Sequence, residues 1–374
     1  MPPVNGEQLL SALVAIDSVN PDLVAGGAGE AEIAALVADW LRDAGLDVEV
    51  VEAAPGRPSV VGTVRGRGGG ASLMLNAHLD TVGFDGMDRP LQPRVEDGRL
   101  HGRGAYDMKG GLAACLIAAA ELARGEPLAG DVVVTAVADE EHASIGMQAV
   151  LAHVRTDAAI VTEPTALRVC VAHKGFAWAD VETAGRAAHG SRPGEGIDAI
   201  TRMAPVLSRL AALQRDLGER PPHALVGAPS VHASLIEGGQ ERSSYPARCR
   251  LALERRTIPG ETAADLRAEL DALVRAVDGA IATPGLTRAP FAVDPGAAVV
   301  AATSRAAHRI TGAAPELYGE TYWMDAALIQ AAGIPTVVLG PAGEGAHAAE
   351  EWVDLASVDT CAAVLAAAAH ELCA

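Results

Sequence analysis

The chain has 374 residues, enough for two domains, and carries a formal net charge of −19. This charge disfavours nucleic acids and anionic membrane surfaces as partners, whereas local charge governs the binding of a small anionic substrate. No run of about eighteen uncharged apolar residues is present, so we expect no membrane span.

The N-terminus and the cysteines indicate the compartment. Residues 1–7 lack a basic region followed by an apolar one, so we expect no signal peptide. The five cysteines are scattered and odd in number, which argues against a disulfide framework or a cysteine-based zinc site. We therefore expect a cytoplasmic protein.

The first predicted elements are two helices and three strands, identified by the spacing of their apolar residues. They cover residues 6–16 and 29–44 (helices) and 48–51, 59–64 and 72–77 (strands). The third strand is apolar throughout, which is typical of a strand buried on both faces of a sheet.

This third strand ends in His78-Leu79-Asp80. Ligands of open α/β sheets bind at the carboxyl ends of the strands, so the His78 imidazole is a candidate metal ligand. A carboxylate two residues on, that of Asp80, is placed to hold the other ring nitrogen of the histidine.

Acidic residues stand at three further element boundaries. Asp107 lies in a glycine-rich turn before a predicted helix, where it either caps that helix or ligates a metal. Asp139-Glu140-Glu141 follows a valine-rich strand, and Glu163 follows another. Because burying a carboxylate without a partner is costly, these acids either lie in solvent or face a cation.

The pattern changes near residue 175. Residues 176–183 alternate like a half-exposed strand, and strands and helices follow in an order typical of a small α+β layer. We therefore expect an α/β fold with a mixed, mainly parallel sheet and helices on both faces, formed by residues 1–174 and 286–374. An inserted α+β two-layer domain covers residues 175–285.

Five residues recur at or near strand ends on what should be one rim of the sheet: His78, Asp107, Glu141, Glu163 and His347. Two imidazoles and three carboxylates suit two divalent metals joined by a bridging carboxylate. A nitrogen and oxygen set without thiolate suits zinc, and also cobalt or manganese. Glu140, beside Glu141, is a candidate general base.

The motifs resemble those of the dinuclear zinc aminoacylase and carboxypeptidase family, which includes acetylornithine deacetylase and succinyl-diaminopimelate desuccinylase. The resemblance covers nearly the whole chain and rests on residues 78–82, 102–111, 139–141, 163–165 and 340–351. It implies that Asp107 bridges two zinc ions, with His78 and Glu163 on one and Glu141 and His347 on the other. It also implies that Asp80 orients His78 and that Glu140 is the base.

The resemblance extends to the inserted domain, which would serve as a lid and dimerisation domain. His189 matches the family's lid histidine, and Arg256 its carboxylate-binding arginine. Ser243 stands where many members have a substrate-binding asparagine. Tyr322-Trp323-Met324 stands where several members have smaller residues; Trp323 either reshapes the substrate pocket or packs in the core.

The resemblance implies a two-metal hydrolase that removes an N-acyl group from an amino-acid derivative with a free carboxylate, similar to acetylornithine deacetylase. Its partners would be a small N-acylated amino acid or dipeptide and a second copy of the chain, without nucleic acid or membrane. Two alternatives remain: a dipeptidase or carboxypeptidase of the same family, and a non-catalytic metal-binding protein. Glu140 speaks against the second, because such a protein needs no base.

Overall fold

The computed structural model describes residues 5–374, which divide into two compact units. Unit 1 comprises the chain up to Val171 together with Val293–Tyr318 and Met324–Ala374. Unit 2 comprises Ala172–Ala292 and Gly319–Trp323. The insertion is therefore longer than the expected residues 175–285, because an additional strand after residue 279 pairs within unit 2.

Nine α-helices occur among residues 5–374, and a single π-helical turn, Ala105–Lys109, precedes the third. The helices are α1 (Gly6–Ala15), α2 (Ala31–Asp43), α3 (Gly110–Arg124), α4 (Ile145–His153), α5 (Ala199–Glu219), α6 (Ala263–Val274), α7 (Ala298–Thr311), α8 (Ala326–Ala331) and α9 (Leu355–Leu372).

Seventeen strands occur in the same part of the chain. They are β1 (Asp47–Glu52), β2 (Pro58–Val64), β3 (Leu73–His78), β4 (Arg94–Glu96), β5 (Arg99–His101), β6 (Val132–Val137), β7 (Ala158–Val161), β8 (Val169–His173), β9 (Gly175–Ala184), β10 (Ser230–Gly238), β11 (Arg248–Thr257), β12 (Ala280–Arg288), β13 (Phe291–Ala292), β14 (Leu317–Glu320), β15 (Thr336–Val338), β16 (Gly343–Glu344) and β17 (Trp352–Asp354). Seven elements have no counterpart among the predicted ones: α4, β8, β12, β13, β14, β16 and β17.

Unit 1 contains a mixed sheet with the strand order β1-β2-β6-β3-β7-β15-β8. The four central strands, from β6 to β15, run parallel, and the strands outside them pair antiparallel. Every residue of β3 and β6 is buried, so both faces of the sheet centre are covered. This confirms the predicted α/β class and directs the carboxyl ends of β3, β6 and β7 to one edge.

A small antiparallel sheet, with the order β16-β17-β5-β4, also belongs to unit 1. It pairs Trp352 with His101 and Val353 with Leu100. The segment that follows His347 is thereby fixed against the segment that precedes the turn with Asp107.

The last helix, α9, has the length and apolar composition of a membrane span, with a mean hydropathy of 1.3. Half of this helix is buried in the fold, and it packs against α3 and α7. Core helices of soluble proteins share this composition, so α9 is weak evidence for a membrane span.

Unit 2 is built on an antiparallel sheet with the order β10-β11-β9-β12. Buried and more exposed residues alternate along β9, as its sequence predicts. Both α5 and α6 pack against the sheet, and their apolar side chains form a core with the buried residues of β9 and β11. Among residues 5–374, unit 2 has no helix besides α5 and α6, so none of its helices covers the opposite face of the sheet.

Met203 on α5 is fully buried in that core. We expect Met203→Ala to lower the free energy of unfolding by about 2–5 kcal/mol, because it leaves a cavity in addition to losing apolar burial. Ile200→Ala is a control on the same helix, because Ile200 is 46% exposed. This variant should change the free energy of unfolding by less than about 0.5 kcal/mol. Urea denaturation measures both; equal losses would show that α5 does not pack as described.

Candidate metal centre

The five expected metal ligands come together in unit 1 as two groups that share one carboxylate. One group contains His78, Asp107 and Glu163, and the other contains Asp107, Glu141 and His347. Within each group the ligand atoms lie within 4.8 Å of one another. The arrangement follows from the sheet, since β3, β6 and β7 are parallel neighbours that end at the same edge.

His78 is the last residue of β3 and is buried. Its Nε2 atom lies 3.3 Å from Asp107 Oδ1 and 3.7 Å from Glu163 Oε1. Its Nδ1 atom lies 2.9 Å from the main-chain oxygen of Asp80, but 3.7 Å from the Asp80 carboxylate. The main chain of Asp80 thus makes the closer contact, where the carboxylate was expected to hold the ring.

The Asp80 carboxylate instead accepts hydrogen bonds from the main chain after β6. Its Oδ1 accepts from the N–H of Glu140, and its Oδ2 from the N–H of Glu141, both at 3.1 Å. Oδ2 also accepts from the Asn20 side chain at 2.7 Å. Asp80 therefore positions the backbone that carries the predicted base and one predicted ligand.

A buried polar network continues from Asn20. The Asn20 amide also donates to Asp139 at 3.0 Å, and Arg57 donates to that carboxylate at 2.8 Å. Arg57 forms two further bonds with Glu30, of 2.7 and 2.8 Å. Removing one partner of a buried ion pair typically costs about 3–5 kcal/mol, so this network fixes Asp139 and the residues after it.

The turn that carries Asp107 is held by Glu351, a buried residue immediately before β17. Glu351 Oε1 accepts from the N–H groups of Tyr106 and Asp107, at 2.9 and 3.0 Å. Its Oε2 accepts from the N–H of Gly104 and from Arg103, at 2.9 and 2.7 Å. The acidic pair at residues 350–351, close after His347, is the feature of the sequence that could have indicated this role of Glu351.

Asp107 does not cap a helix, so the first of the two alternatives left open by the sequence is wrong. The helix α3 begins at Gly110, and the backbone of Asp107 is non-helical, with a cis peptide bond to Met108. Its Oδ2 lies 3.3 Å from Nε2 of His347 while its Oδ1 faces His78. The carboxylate thus divides its two oxygens between the two groups.

The ionisable side chains of the site strongly perturb one another. Burial raises the pKa of Glu163, and the nearby charge of Asp107 raises it further. Burial also raises the pKa of Glu141, again with a contribution from Asp107. Burial lowers the pKa of His78, but its hydrogen bond to Asp107 and the charge of Glu163 outweigh this and raise it well above its usual range.

Two divalent cations fit these residues. Glu141 Oε1 is buried and has no hydrogen-bond partner among residues 5–374, although its Oε2 lies 3.1 Å from His347 Nε2. The hydrogen bonds to Asp107 and Glu141 raise the pKa of His347 to about 10, so the two carboxylates favour a positive charge beside them. Imidazole and carboxylate ligands without thiolate are those of zinc, cobalt or manganese.

Glu140 belongs to neither group of ligands. Burial raises the pKa of its carboxyl group well above the usual range, and the charge of Glu163 raises it further, against an opposing effect of His78. Its carboxylate is therefore close enough to Glu163 and His78 to feel their charges, without being part of either group.

Three predicted site residues belong to unit 2. His189 is exposed in the turn after β9, and its Nδ1 atom lies 2.8 Å from Ser191 Oγ. The main-chain oxygen of Ser243 accepts a bond from Gly190 at 2.7 Å, so Ser243 and His189 belong to adjoining segments. Arg256 lies on β11, where its Nε donates to Glu254.

Because Asp107 is common to both groups, we expect Asp107→Ala to reduce the metal content from two ions per chain to near zero. Asp22→Ala is a matched control: Asp22, Asp139 and His142 also lie within ligand distance of one another, but Arg57 already supplies the positive charge there. Metal analysis of both purified variants measures this. Two ions retained by Asp107→Ala, or ions lost by Asp22→Ala, would contradict the assignment.

Comparison with known proteins agrees with this geometry. The sequence model of peptidase family M20/M25/M40 matches residues 74–371. Acetylornithine deacetylase from Erwinia tasmaniensis is 31% identical over 352 residues, which cover 90% of each chain. A tripeptidase from Staphylococcus aureus shares the fold with a TM-score of 0.82, at 22% identity over 99% of both chains. So does a dinuclear metal-binding M20 peptidase from Bacillus subtilis, with a TM-score of 0.72, at 17% identity over 98% of this chain and 97% of that one. The chain therefore belongs to peptidase family M20/M25/M40 and is a metal-dependent hydrolase, as its motifs had indicated.

Proposed function

We propose that the protein removes an N-acyl group from an amino-acid derivative that has a free carboxylate, in a reaction like that of acetylornithine deacetylase. The observation that carries the proposal is the Asp107 carboxylate, which is shared by two groups of ligands, with Glu140 beside them and in neither. The relative that is 31% identical is named for this activity. A dipeptidase with the same ligands is the competing candidate.

The ions of this site are most simply two zinc ions, with cobalt or manganese as alternatives. When bound, divalent ions of this kind polarise a carbonyl and make water a better nucleophile near neutral pH. His78 and Glu163 would hold one ion, Glu141 and His347 the other, and Asp107 both.

Glu140 is proposed as the general base and acid. The Asp80 carboxylate accepts a hydrogen bond from the main-chain N–H of Glu140. This bond fixes the backbone from which the Glu140 side chain extends, beside the ligands. Glu140 accepts a proton from the attacking water and delivers it to the amide nitrogen as the carbon–nitrogen bond breaks.

Arg256 is proposed to bind the free carboxylate of the substrate. Its Nε is engaged by Glu254, and neither terminal nitrogen has a partner among the residues that the structure describes. The fork of a guanidinium group held in this way can bind a carboxylate through two parallel hydrogen bonds. Ser243 is proposed as a further substrate contact, in the position of the family's asparagine.

We also propose that the chain forms a homodimer through unit 2. The edge strand β10 exposes Leu235 and Ile236, at 67% and 53%, and an exposed apolar edge strand invites pairing with a second copy. A cytoplasmic location remains part of the proposal, supported by the five cysteines, which are all free and buried.

We expect Glu140→Gln to retain two metal ions and to lose at least about 10²–10⁴-fold in kcat, because general acid–base catalysis is removed while the ligands stay. The measurement is amine release from N-acetyl amino acids and from dipeptides, with zinc, cobalt or manganese added. Faster turnover of dipeptides than of N-acetyl amino acids by the wild type would favour the dipeptidase. If Glu140→Gln loses metal together with activity, Glu140 is a ligand and its proposed role is wrong.

His189 is proposed to stabilise the oxyanion in the active site of the partner subunit. His189→Ala should lose about 10²–10³-fold in kcat with its metals retained, as the loss of an oxyanion donor does. When the inactive Glu140→Gln and His189→Ala dimers exchange subunits, each heterodimer gains one complete site. Random exchange between equal amounts of the two variants makes half of the dimers mixed, and each mixed dimer has one complete site of two. About a quarter of wild-type activity should therefore return. Heterodimers without activity would contradict a role across the dimer.

A further inference from the structure

The turn between β6 and α4 carries the proposed base, and buried acids hold its main chain along its whole length. Each of the seven main-chain N–H groups of residues 139–145 donates a hydrogen bond to an oxygen atom of Glu30, Asp80 or Asp139. All three acids are fully buried. The path of the main chain through Glu140 is therefore set by the positions of these three acids.

The turn also has a main-chain conformation that its own residues do not favour. Asp139 at its start and Ser144 near its end have φ angles of 69° and 52°. In this left-handed region a side chain crowds the main chain, so residues other than glycine occupy it only where surrounding contacts hold them there. The conformation of the turn thus depends on its hydrogen bonds, and so on whatever fixes the carboxylates that accept them.

One guanidinium group fixes two of these three carboxylates. Arg57, which is 6% exposed, donates to Glu30 through Nε and Nη2, and through Nη2 also to Asp139. Its remaining contact, from Nη1 to Asp22, lies toward solvent, since the Asp22 side chain is 55% exposed. Because one planar group binds both buried carboxylates, their positions relative to each other are fixed.

A neutral amide connects the third carboxylate to this pair. Asn20 Nδ2 donates to Asp80 at 2.7 Å and to Asp139 at 3.0 Å. Its Oδ1 accepts from the main-chain N–H groups of residues 22–23, and its own main-chain N–H donates to Thr81 at 2.9 Å. An amide suits this place because it supplies two N–H donors, whereas a carboxylate would add a third negative charge.

We propose that Asn20 and Arg57 are positioning residues for catalysis, which hold the turn in the conformation from which Glu140 transfers its proton. The inference rests on the proposed role of Glu140 as the base. Neither residue belongs to either group of ligands. They act through the three carboxylates, and a displacement of about 1 Å at a reacting group can lower a rate about 100-fold.

The test measures two properties of zinc-loaded variants: amide hydrogen exchange of residues 139–145 by mass spectrometry, and the kinetic constants for N-acetyl amino acids. Asn20→Ala removes the two donor bonds, and Arg57→Gln removes the positive charge. In both variants exchange of residues 139–145 should become at least about 10-fold faster. At the same time kcat should fall about 10- to 100-fold, with two metal ions retained and KM unchanged, because ligands and substrate contacts stay.

Two controls separate positioning from a general loss of stability. Asp22→Ala removes the solvent-side partner of the same guanidinium group and should leave kcat and exchange within about twofold. Leu41→Ala should lower stability but keep kcat, because Leu41 is fully buried on α2, over Gly62, and is not part of the polar network. Exchange of residues 104–107, which bind Glu351 instead, should be unchanged in Asn20→Ala.

Unchanged exchange or unchanged kcat in Asn20→Ala would overturn the inference. So would a loss of kcat in Leu41→Ala equal to that in Asn20→Ala, since stability alone would then explain the effect. If Arg57→Gln does not yield folded protein, Asn20→Ala decides.

Failure of the proposed function gives a different result, because the zinc-loaded wild type would then hydrolyse no N-acetyl amino acid. Hydrogen exchange decides the inference in that case. Faster exchange of residues 139–145 in Asn20→Ala, but not in Asp22→Ala, supports a network that holds the turn, and unchanged exchange overturns it.

Discussion

A buried carboxylate needs donors or cations around it, and unit 1 is organised by this constraint. Two kinds of buried acid occur there. Asp80 and Glu351 are satisfied by N–H groups and by neutral or cationic side chains of the protein. Glu141 and Glu163 are not satisfied in this way: Glu141 Oε1 has no hydrogen-bond partner among residues 5–374, and Glu163 Oε1 lies 3.7 Å from His78 Nε2. The first kind builds the backbone geometry that keeps the second kind close together.

The positions of the ligands therefore depend on residues that do not touch a metal. Asp80 accepts hydrogen bonds from the backbone at residues 140–141, and Glu351 from the turn that presents Asp107. These two carboxylates come from opposite ends of the chain. Because each binds two or more main-chain N–H groups, it fixes the backbone from which the predicted ligands project.

The sequence predicted well which side chains come together, because a strand buried on both faces is easy to recognise and its carboxyl end is then known. His78 is the last residue of β3, and Glu163 lies two residues after the end of β7. Glu30 and Arg57 were missed, since an arginine that is buried by pairing looks like any surface arginine in the sequence. The strand β12 was missed because Thr283, Pro284 and Gly285 suggest a turn, although they lie at an irregularity of an exposed edge strand.

The two halves of the metal centre differ in their access to solvent. The side chains of His78 and Glu163 are 1% and 4% exposed, whereas that of His347 is 54% exposed, on a loop between short strands. An ion held by His347 is thus the one that water and chelators reach first, and its loss leaves the buried group assembled. We expect the two ions to exchange at different rates, so that stepwise chelation passes through a singly loaded form; simultaneous release of both would show that the difference in exposure has no effect.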